Sequence, residues 1–349
     1  MTQSSTRIPL SVLDFAPVAS GASAAQALRD TIRIARRVDQ LGYLRYWMAE
    51  HHNAPNIASC SPPLMIGQIA AATSRLRVGS GGVMLPNHAP LVVAEQFGTL
   101  EALHPDRIDL GIGRASGTDP ITAQALRRSN DPSDDFPQRF AELLDYFESP
   151  VHGSPISPVS AIPAEGNRPP IWMLGSSPSS ARMAGMLGLP FAFAHHFSSE
   201  NTIPALATYR ENFRPSADLD HPYAVVAAMV IVAETRERAE WLAGPMGLSS
   251  LLQRTSGITG PYPSPEFAEA YEYSPQEREF VRSRIDAHLV GGRHDIAARI
   301  DAFVDRTGAD ELMALTLVHG VDDRIRSFEI LAEATGLVPA GHPADSLSR

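Results

Sequence analysis

The segment Tyr46-Trp47-Met48-Ala49-Glu50-His51-His52-Asn53 begins as an apolar, aromatic run and ends, without a turn signal, in an acid and two imidazoles. Such a run predicts a buried strand that carries polar side chains to the edge of a core. Successive side chains of a strand point to opposite sides, so His51 cannot face the same way as Glu50 and His52 unless the backbone kinks there. We therefore expect either His51 or the Glu50/His52 pair to face a pocket. Histidines with a purely structural role are the alternative.

Strand candidates alternate with helical periodicity on both sides of this segment. The first helix is expected to begin after Ser23 as N-cap and to end at Gly42. There are eight strand candidates. One is the opening segment, and the other seven are 10–15, 76–85, 108–113, 171–174, 190–194, 224–233 and 312–318. This pattern predicts an α/β fold, a (β/α)8 TIM-type barrel that forms a single domain over residues 1–349, with insertions at the C-terminal face of the strands. The competing doubly wound sheet would need a G-x-G-x-x-G motif after its first strand, which this sequence does not have.

One long stretch does not follow the alternation. Residues 244–273 are rich in Gly, Pro and Ser and have no clear periodicity, which predicts an irregular excursion over the barrel mouth. With a helix expected at 275–289, it forms a lid-like insertion at about 244–290. Gly291-Gly292 is expected to form a turn, and the tail at 337–349 is expected to be loose.

Composition excludes several classes of function. The formal net charge of -10 argues against binding of nucleic acid. The sequence contains no lysine, which excludes Schiff-base chemistry and the lysine of a phosphate-binding loop. Cys60 is the one cysteine, so no internal disulfide can form, and we expect it to be a small buried residue. No apolar run is long enough to span a membrane and no signal peptide is recognisable, so we expect a cytoplasmic protein.

In a parallel barrel the reacting groups lie at the C-terminal ends of the strands. Serines that follow a strand at the start of a helix can bind phosphate through hydroxyls and helix amides, and an arginine after the neighbouring strand could add a bidentate contact. A simple helix cap is the alternative, and Gly291-Gly292 is the rival position. The candidate residues are Asp14, Glu50, His51, Gly81, Gly82, Arg114, Gly175, Ser176, Ser177, Ser180, His195 and His196.

Two of these features have a competing interpretation. Gly81-Gly82 interrupts a strand, which marks either a packing bulge or the close approach of a flat ligand. Glu50 and His52, with a third ligand from elsewhere, could bind zinc, but their spacing is not that of the common zinc motifs. We expect no metal site.

The sequence resembles the bacterial luciferase-like, flavin-dependent monooxygenases. The resemblance extends over roughly 8–336. The motifs that carry it are Leu10-Ser11-Val12-Leu13-Asp14, the opening segment, Val78-Gly79-Ser80-Gly81-Gly82-Val83-Met84-Leu85-Pro86, Arg107-Ile108-Asp109-Leu110-Gly111-Ile112-Gly113-Arg114 and Gly188-Leu189-Pro190.

The resemblance implies an enzyme that uses reduced FMN and O2 to oxygenate a small organic substrate through a flavin hydroperoxide. Reduced FMN would come from a separate NAD(P)H-flavin reductase, and the enzyme would be a homodimer. In this resemblance, His51 matches the family's catalytic histidine. Gly81-Gly82 matches the position where the family has a cis peptide against the flavin ring. The phosphate-binding positions are matched by Arg114, Ser176, Ser177 and Ser180. Asp14, Glu50, His195 and His196 are expected to form the substrate pocket.

Two positions depart from the family pattern. Gly113 stands where the luciferase has a reactive cysteine, and Ser176 stands where it has an acid. Light emission is therefore not implied. A deazaflavin-dependent oxidoreductase and a flavin-binding barrel without turnover remain the alternatives.

Overall fold

Eight parallel strands close into a barrel. The computed structural model describes residues 8–114, 119–126, 136–148, 159–257 and 259–338. Its strands are β1 (Leu10–Asp14), β2 (Arg45–Met48), β3 (Arg77–Ser80), β4 (Val83–Met84), β5 (Ile108–Gly113), β6 (Ile171–Gly175), β7 (Phe191–Ala194), β8 (Ala224–Ala233), β9 (Leu289–Gly292) and β10 (Glu311–Leu315). The ring runs β1-β2-β3-β5-β6-β7-β8-β10, and β10 pairs with β1 to close it. The predicted (β/α)8 barrel is confirmed.

Two short strands lie outside the ring. β4 continues the path of β3 beyond Gly81-Gly82 and pairs with β5. β9 pairs with the second half of β8, at residues 230–233, whereas residues 225–229 of β8 pair with β10. The turn predicted at Gly291-Gly292 is therefore wrong, because both glycines pair with β8. The preceding helix correspondingly ends at Asp286, before the predicted boundary at 289.

Helices connect the strands. They are α1 (Ala24–Leu41), α2 (Pro62–Ala72), α3 (Pro90–Leu103), α4 (Pro120–Ala125), α5 (Phe136–Phe147), α6 (Pro178–Leu187), α7 (Thr202–Asn212), α8 (Arg236–Ser256), α9 (Pro265–Ala270), α10 (Pro275–Asp286), α11 (Ile296–Thr307) and α12 (Val321–Thr335). Both caps predicted for α1 are confirmed. The Ser23 hydroxyl accepts a hydrogen bond from the Gln26 N–H at 3.2 Å, and Gly42 has a φ of 90°.

The irregular excursion predicted from residue 244 is wrong in its first half, because α8 continues through Gly244, Pro245 and Gly247. These residues hide the helical period from sequence inspection. A Cβ added at Gly247 would lie 2.6 Å from a side-chain atom of Val281 on α10. Glycine is needed there to let two helices approach closely, and it does not mark a turn. Leu248 and Leu251 of α8 pack with Val281 in a small core of their own.

The strands separate two larger apolar cores. Leu10 and Val12 of β1 face outward and pack with Ile34 and Val38 of α1. Leu13 and Trp47 face inward and pack with other residues in the barrel interior. Side chains of one strand therefore alternate between the two cores, as the pleat requires.

Charged side chains fill the N-terminal end of the barrel interior. Arg45 begins β2 and donates to Asp109 at 2.8 Å and to Glu311 at 3.1 Å. Arg77 also donates to Asp109, and its guanidinium nitrogen lies 2.8 Å from the carboxylate oxygen. The Tyr223 hydroxyl donates to Glu311 at 2.8 Å. Because the buried acids are paired on several sides, the cost of their desolvation is offset. The opposite, C-terminal end is the one left for chemistry.

Two further observations concern the surface. No helix within the described parts of the chain is both long and apolar enough to cross a membrane. Cys60 is exposed, so the expectation that it is buried is wrong. It precedes Ser61, the N-cap residue of α2.

Candidate active site at the barrel mouth

The C-terminal ends of the parallel strands place most of the predicted site residues at one end of the barrel. His51 follows β2, Gly81-Gly82 follows β3, Arg114 follows β5, Gly175 ends β6 and His196 follows β7. His51 and Arg114 therefore lie at the same end of the ring, which is the arrangement that one bound molecule would require.

His51 faces the barrel mouth. Its ring centroid lies 4.9 Å from that of Phe15, which follows β1. The Nδ1 atom is buried and has no hydrogen-bond partner among the described residues. Burial holds the pKa of the imidazole below its ordinary value, more strongly than the nearby Glu50 charge raises it. His51 is therefore a neutral imidazole near pH 7 with a buried nitrogen that the described protein leaves unbonded.

Glu50 and His52 face the other side of the strand, where Glu50 is enclosed by donors. The Glu50 carboxylate is 3.0 Å from His52 Nε2, 2.9 Å from His88 Nε2 and 3.0 Å from the Met84 amide nitrogen. Burial would raise the pKa of Glu50, but the hydrogen bond and charge of His88 and the other donors hold it below its ordinary value. His51 and the Glu50/His52 pair thus lie on opposite sides of the strand, and Glu50 fixes the segment after β3. Glu50, which was predicted to belong to the substrate pocket, does not line the cavity described below, and neither does His51.

The zinc alternative concerned Glu50 and His52 with a third ligand from elsewhere. Within the described ranges, no group of three or more His, Cys, Asp or Glu side chains is placed to hold a metal ion. The imidazoles of His52 and His88 point their Nε2 atoms at the Glu50 carboxylate.

The Gly81-Gly82 peptide bond is cis. A Cβ at Gly81 would lie 2.7 Å from Leu13 Cδ1, and one at Gly82 would lie 2.8 Å from the carbonyl oxygen of Gly111. Close packing inside the barrel therefore accounts for glycine at both positions. The approach of a flat ring to this peptide stays a prediction.

The serine cluster lies at the N-terminus of α6. Ser177 is the N-cap residue and its side chain makes no capping hydrogen bond, so the simple-cap alternative does not describe it. The Ser180 hydroxyl donates to the Ser177 carbonyl at 2.9 Å. A Cβ at Gly175 would lie 1.8 Å from the Ser180 hydroxyl oxygen, so only glycine leaves room for it. Ser176 is half-buried between them, and Arg114 is exposed.

The rival phosphate position at Gly291-Gly292 already has an anionic partner. The Gly292 N–H donates to the Asp295 carboxylate at 2.6 Å, and both glycines are buried in β9. The Asp295 carboxylate therefore already accepts the hydrogen bond from the Gly292 N–H that a phosphate would need.

Asp14 and His195 do not line the cavity, contrary to prediction. The Asp14 carboxylate accepts hydrogen bonds from Arg324 at 2.8 Å, Thr31 at 2.9 Å and the Tyr46 hydroxyl, all on the helix side of the sheet. Burial would raise its pKa, but Arg324 and the hydrogen bonds hold it below the ordinary value. His195 Nδ1 lies 2.7 Å from the Thr202 hydroxyl. The strand alternation turns both side chains away from the barrel interior.

A cavity of about 360 Å³ opens between the strand ends and the α8–α10 insertion. His196 and Phe15 belong to its wall, and Phe15 contacts both His51 and His196. His196 Nδ1 lies 3.0 Å from the Ala227 carbonyl oxygen, so Nδ1 carries the proton of the neutral ring. The cavity thus adjoins the His51 ring through Phe15.

The sequence predicted an insertion over the barrel mouth, but not which of its residues line the cavity. The cavity is lined by Met246 of α8, Arg284 of α10 and His288, which lies between α10 and β9, together with Met229 of β8. The helical period of α10, with its capping box at Ser274 and Glu277, was the available signal, but nothing local shows which barrel strand it faces.

Protonation of the buried histidines should destabilise the protein below neutral pH. Burial lowers the pKa of His195, His196 and His288 to about 4 each. The unfolded chain then binds more protons than the native state below about pH 6.5, so stability is full above that pH and is lost as the pH falls towards 4. Lowering the pH from 7.5 to 5 reduces the free energy of unfolding. We expect this reduction to be smaller in the His288→Gln variant than in the wild type, by on the order of 2 kcal/mol. Denaturant unfolding at both pH values measures this, and an unchanged pH dependence would contradict it.

Comparison with known proteins bears on this site. The family model described as luciferase-like monooxygenase matches residues 8–311. The uncharacterized protein YvbT of Bacillus subtilis (strain 168) is 48% identical over 93% of this chain and 96% of its own. A luciferase-like monooxygenase of Escherichia coli (strain K12) is 43% identical over the same shares. The crystal structure of apo-MsnO8 is 37% identical, covers 95% of this chain and 99% of its own, and superposes with a TM-score of 0.86.

Proposed function

This chain belongs to the luciferase-like monooxygenase family, and from that premise we propose that it uses reduced FMN and O2 to oxygenate a small organic substrate. The observation that supports this most directly is His51, whose buried Nδ1 has no partner in the described structure at the mouth of a barrel. A buried polar atom without a hydrogen bond is costly, so such an atom is a place where a ligand or a water molecule would bind.

The described residues fit a flavin mononucleotide. The flavin ring would lie by His51 and the Gly81-Gly82 peptide. Its phosphate would be held by Arg114 and by Gly175, Ser176, Ser177 and Ser180 at the N-terminus of α6, where helix amides favour an anion. The side chain of Ser177 makes no capping hydrogen bond to the helix, which supports this assignment.

Reduced FMN, when bound, supplies the electrons that activate O2. His51 would hold or move the proton at Nδ1, because a neutral imidazole near pH 7 can accept it. The cavity wall of Phe15, Met229, Met246 and Leu315 would keep water from the reacting atoms.

Reduced FMN must come from outside this chain in our proposal, because no dinucleotide-binding motif follows the first strand. A separate NAD(P)H-flavin reductase would supply it. A cytoplasmic homodimer remains part of the proposal, to be tested by localisation and by light scattering.

Distant structures with the same fold name two kinds of cofactor. An oxygenating component of 3,6-diketocamphane monooxygenase, 19% identical with a TM-score of 0.71, is in complex with FMN. A secondary alcohol dehydrogenase, 15% identical with a TM-score of 0.65, is in complex with an F420-acetone adduct. These likenesses concern the fold alone, so the deazaflavin alternative needs a direct test.

The Arg114→Ala variant should bind FMN about tenfold more weakly or worse, since it loses a charge-assisted contact to the phosphate. Riboflavin has no phosphate, and its affinity should change little. Arg182→Ala, which removes an exposed arginine from α6 itself, is the matched control. Quenching of flavin fluorescence measures both affinities. Equal losses for FMN and riboflavin would contradict a phosphate contact.

The proposed function is tested by supplying FMN and a flavin reductase with NADH to the protein and a panel of small organic substrates. We expect one oxygen atom from ¹⁸O2 in a product, together with faster consumption of NADH. A parallel assay with reduced F420 separates the alternative. Product formation with F420 and none with FMN would contradict our proposal.

A further inference from the structure

The charge of the cavity wall differs from that of the whole protein. The sequence has 39 Asp and Glu against 29 Lys and Arg. Yet the described residues that line the cavity include no acid, and the one with a full charge at neutral pH is Arg284. A partly enclosed, largely apolar site with a single cation attracts an anion.

Arg284 lies in the last turn of α10 and is half-buried. Its guanidinium forms no ion pair with an acidic side chain in the described parts of the chain. Glu200 is the acid on which it acts. The pKa of that exposed carboxyl is lowered by a backbone hydrogen bond and by Ser198, and to a smaller degree by the Arg284 charge. Glu200 therefore interacts with the Arg284 charge without a direct ion pair, and no described acidic side chain is bonded to the guanidinium.

Two imidazoles, those of His288 and His196, line the same cavity as Arg284. His288 is buried, and its Nδ1 has no hydrogen-bond partner among the described residues. Burial, followed by the charges of Arg284, His195 and His196, lowers the pKa of His288 to about 4, so its imidazole is neutral near pH 7. Neutral His288 and His196 thus add hydrogen-bonding atoms to this cavity without adding charge.

The remainder of the cavity is mainly apolar and small. Met229 and Leu315 come from the barrel, and Met246 and Leu252 come from α8. The volume of about 360 Å³ is near the lower end of the range of small-molecule sites. Phe15 lines the same cavity and touches the His51 ring, so a molecule held at Arg284 would extend towards the proposed reaction site.

We propose that this cavity binds a small organic acid, whose carboxylate pairs with Arg284 and whose apolar body lies against the methionine and leucine side chains. Guanidinium and carboxylate match in a planar, two-point contact. This deepens the proposed function, since the acid would be its substrate, but the binding site itself requires neither flavin nor O2.

Isothermal titration calorimetry on the protein without flavin tests the proposal with two probes of equal chain length, octanoate and 1-octanol. We expect octanoate to bind at least about tenfold more tightly than 1-octanol, as one charge-assisted contact provides. Arg284→Gln should weaken octanoate binding about tenfold and leave 1-octanol unchanged. Arg284→Lys keeps the charge and loses the planar fork of the guanidinium. Its affinity for octanoate should lie between those of the wild type and Arg284→Gln.

Two further variants make the result specific. Arg282→Gln alters the same helix at a side chain that is 85% exposed, and it should leave both probes unaffected. Ser249→Trp fills the cavity from α8 and should abolish binding of both probes. Circular dichroism spectra and melting temperatures identify any variant that fails to fold.

Failure of octanoate to bind, equal affinity for the two probes, or octanoate binding that Arg284→Gln leaves unchanged would each overturn the proposal. These outcomes are distinguishable from failure of the proposed function. Arg284-dependent octanoate binding without any FMN-dependent product would refute the monooxygenase and retain the acid site.

Discussion

Replacing His51 with alanine should lower the rate of oxygenation by about 100- to 10,000-fold, the usual contribution of a positioned acid or base, and should lower the yield of oxygenated product per reduced FMN with it. His51 is the imidazole that faces the barrel mouth, and its Nδ1 is buried without a partner in the described structure. Its pKa is lowered by burial, which keeps the ring neutral and able to accept a proton near pH 7. The affinity for FMN should change much less than the product yield.

His52→Asn is the matched control for this experiment. His52 is the next residue along the chain, but its Nε2 lies 3.0 Å from the Glu50 carboxylate, on the other side of the strand. An asparagine amide can still donate a hydrogen bond there, so the product yield should stay close to that of the wild type. If the coupling of O2 to product were unchanged in His51→Ala, His51 would have no role in the reaction and the prediction would be contradicted.

Replacing Asp14 with alanine should lower the free energy of unfolding by about 3–5 kcal/mol, because it leaves a buried charge without a partner. The partner is Arg324, whose side chain is 4% exposed and which donates to Asp14 at 2.8 Å. Thr31 and the Tyr46 hydroxyl also lose their acceptor. Denaturant unfolding at pH 7.5 measures this loss.

Asp322→Ala provides the comparison, since it breaks an ion pair to Arg33 in which the two side chains are 81% and 56% exposed. Its loss should stay within about 1 kcal/mol. If Asp14→Ala left stability unchanged and raised only the KM for substrate, Asp14 would be the pocket residue that its position at a strand end first suggested.

The ring of strands could be predicted because each strand candidate is a short apolar run and each helix has local boundary signals. Ser23 and Gly42 act within a few residues of themselves, so the sequence alone identifies them as caps of α1. The prediction that His51 and the Glu50/His52 pair lie on opposite sides of the strand also follows from a local rule, the alternation of side chains along a strand.

The rest depends on contacts between residues far apart in the chain. Gly247 resembles a helix breaker until Val281 is seen packed against it. Asp14 resembles a pocket residue until Arg324 is seen on the helix side of the sheet. The cavity wall formed by Arg284 and His288 could not be predicted either, because it requires the docking of α8 and α10 over the strand ends.

The central claim is that one flavin mononucleotide joins His51 to the serine cluster of α6 across the barrel mouth. A crystal structure of the protein with bound FMN tests it most directly. We predict the flavin ring within hydrogen-bond reach of His51 and the phosphate on Arg114, Ser176 and Ser177. A flavin bound away from His51, or a phosphate held at another end of the barrel, would contradict the account.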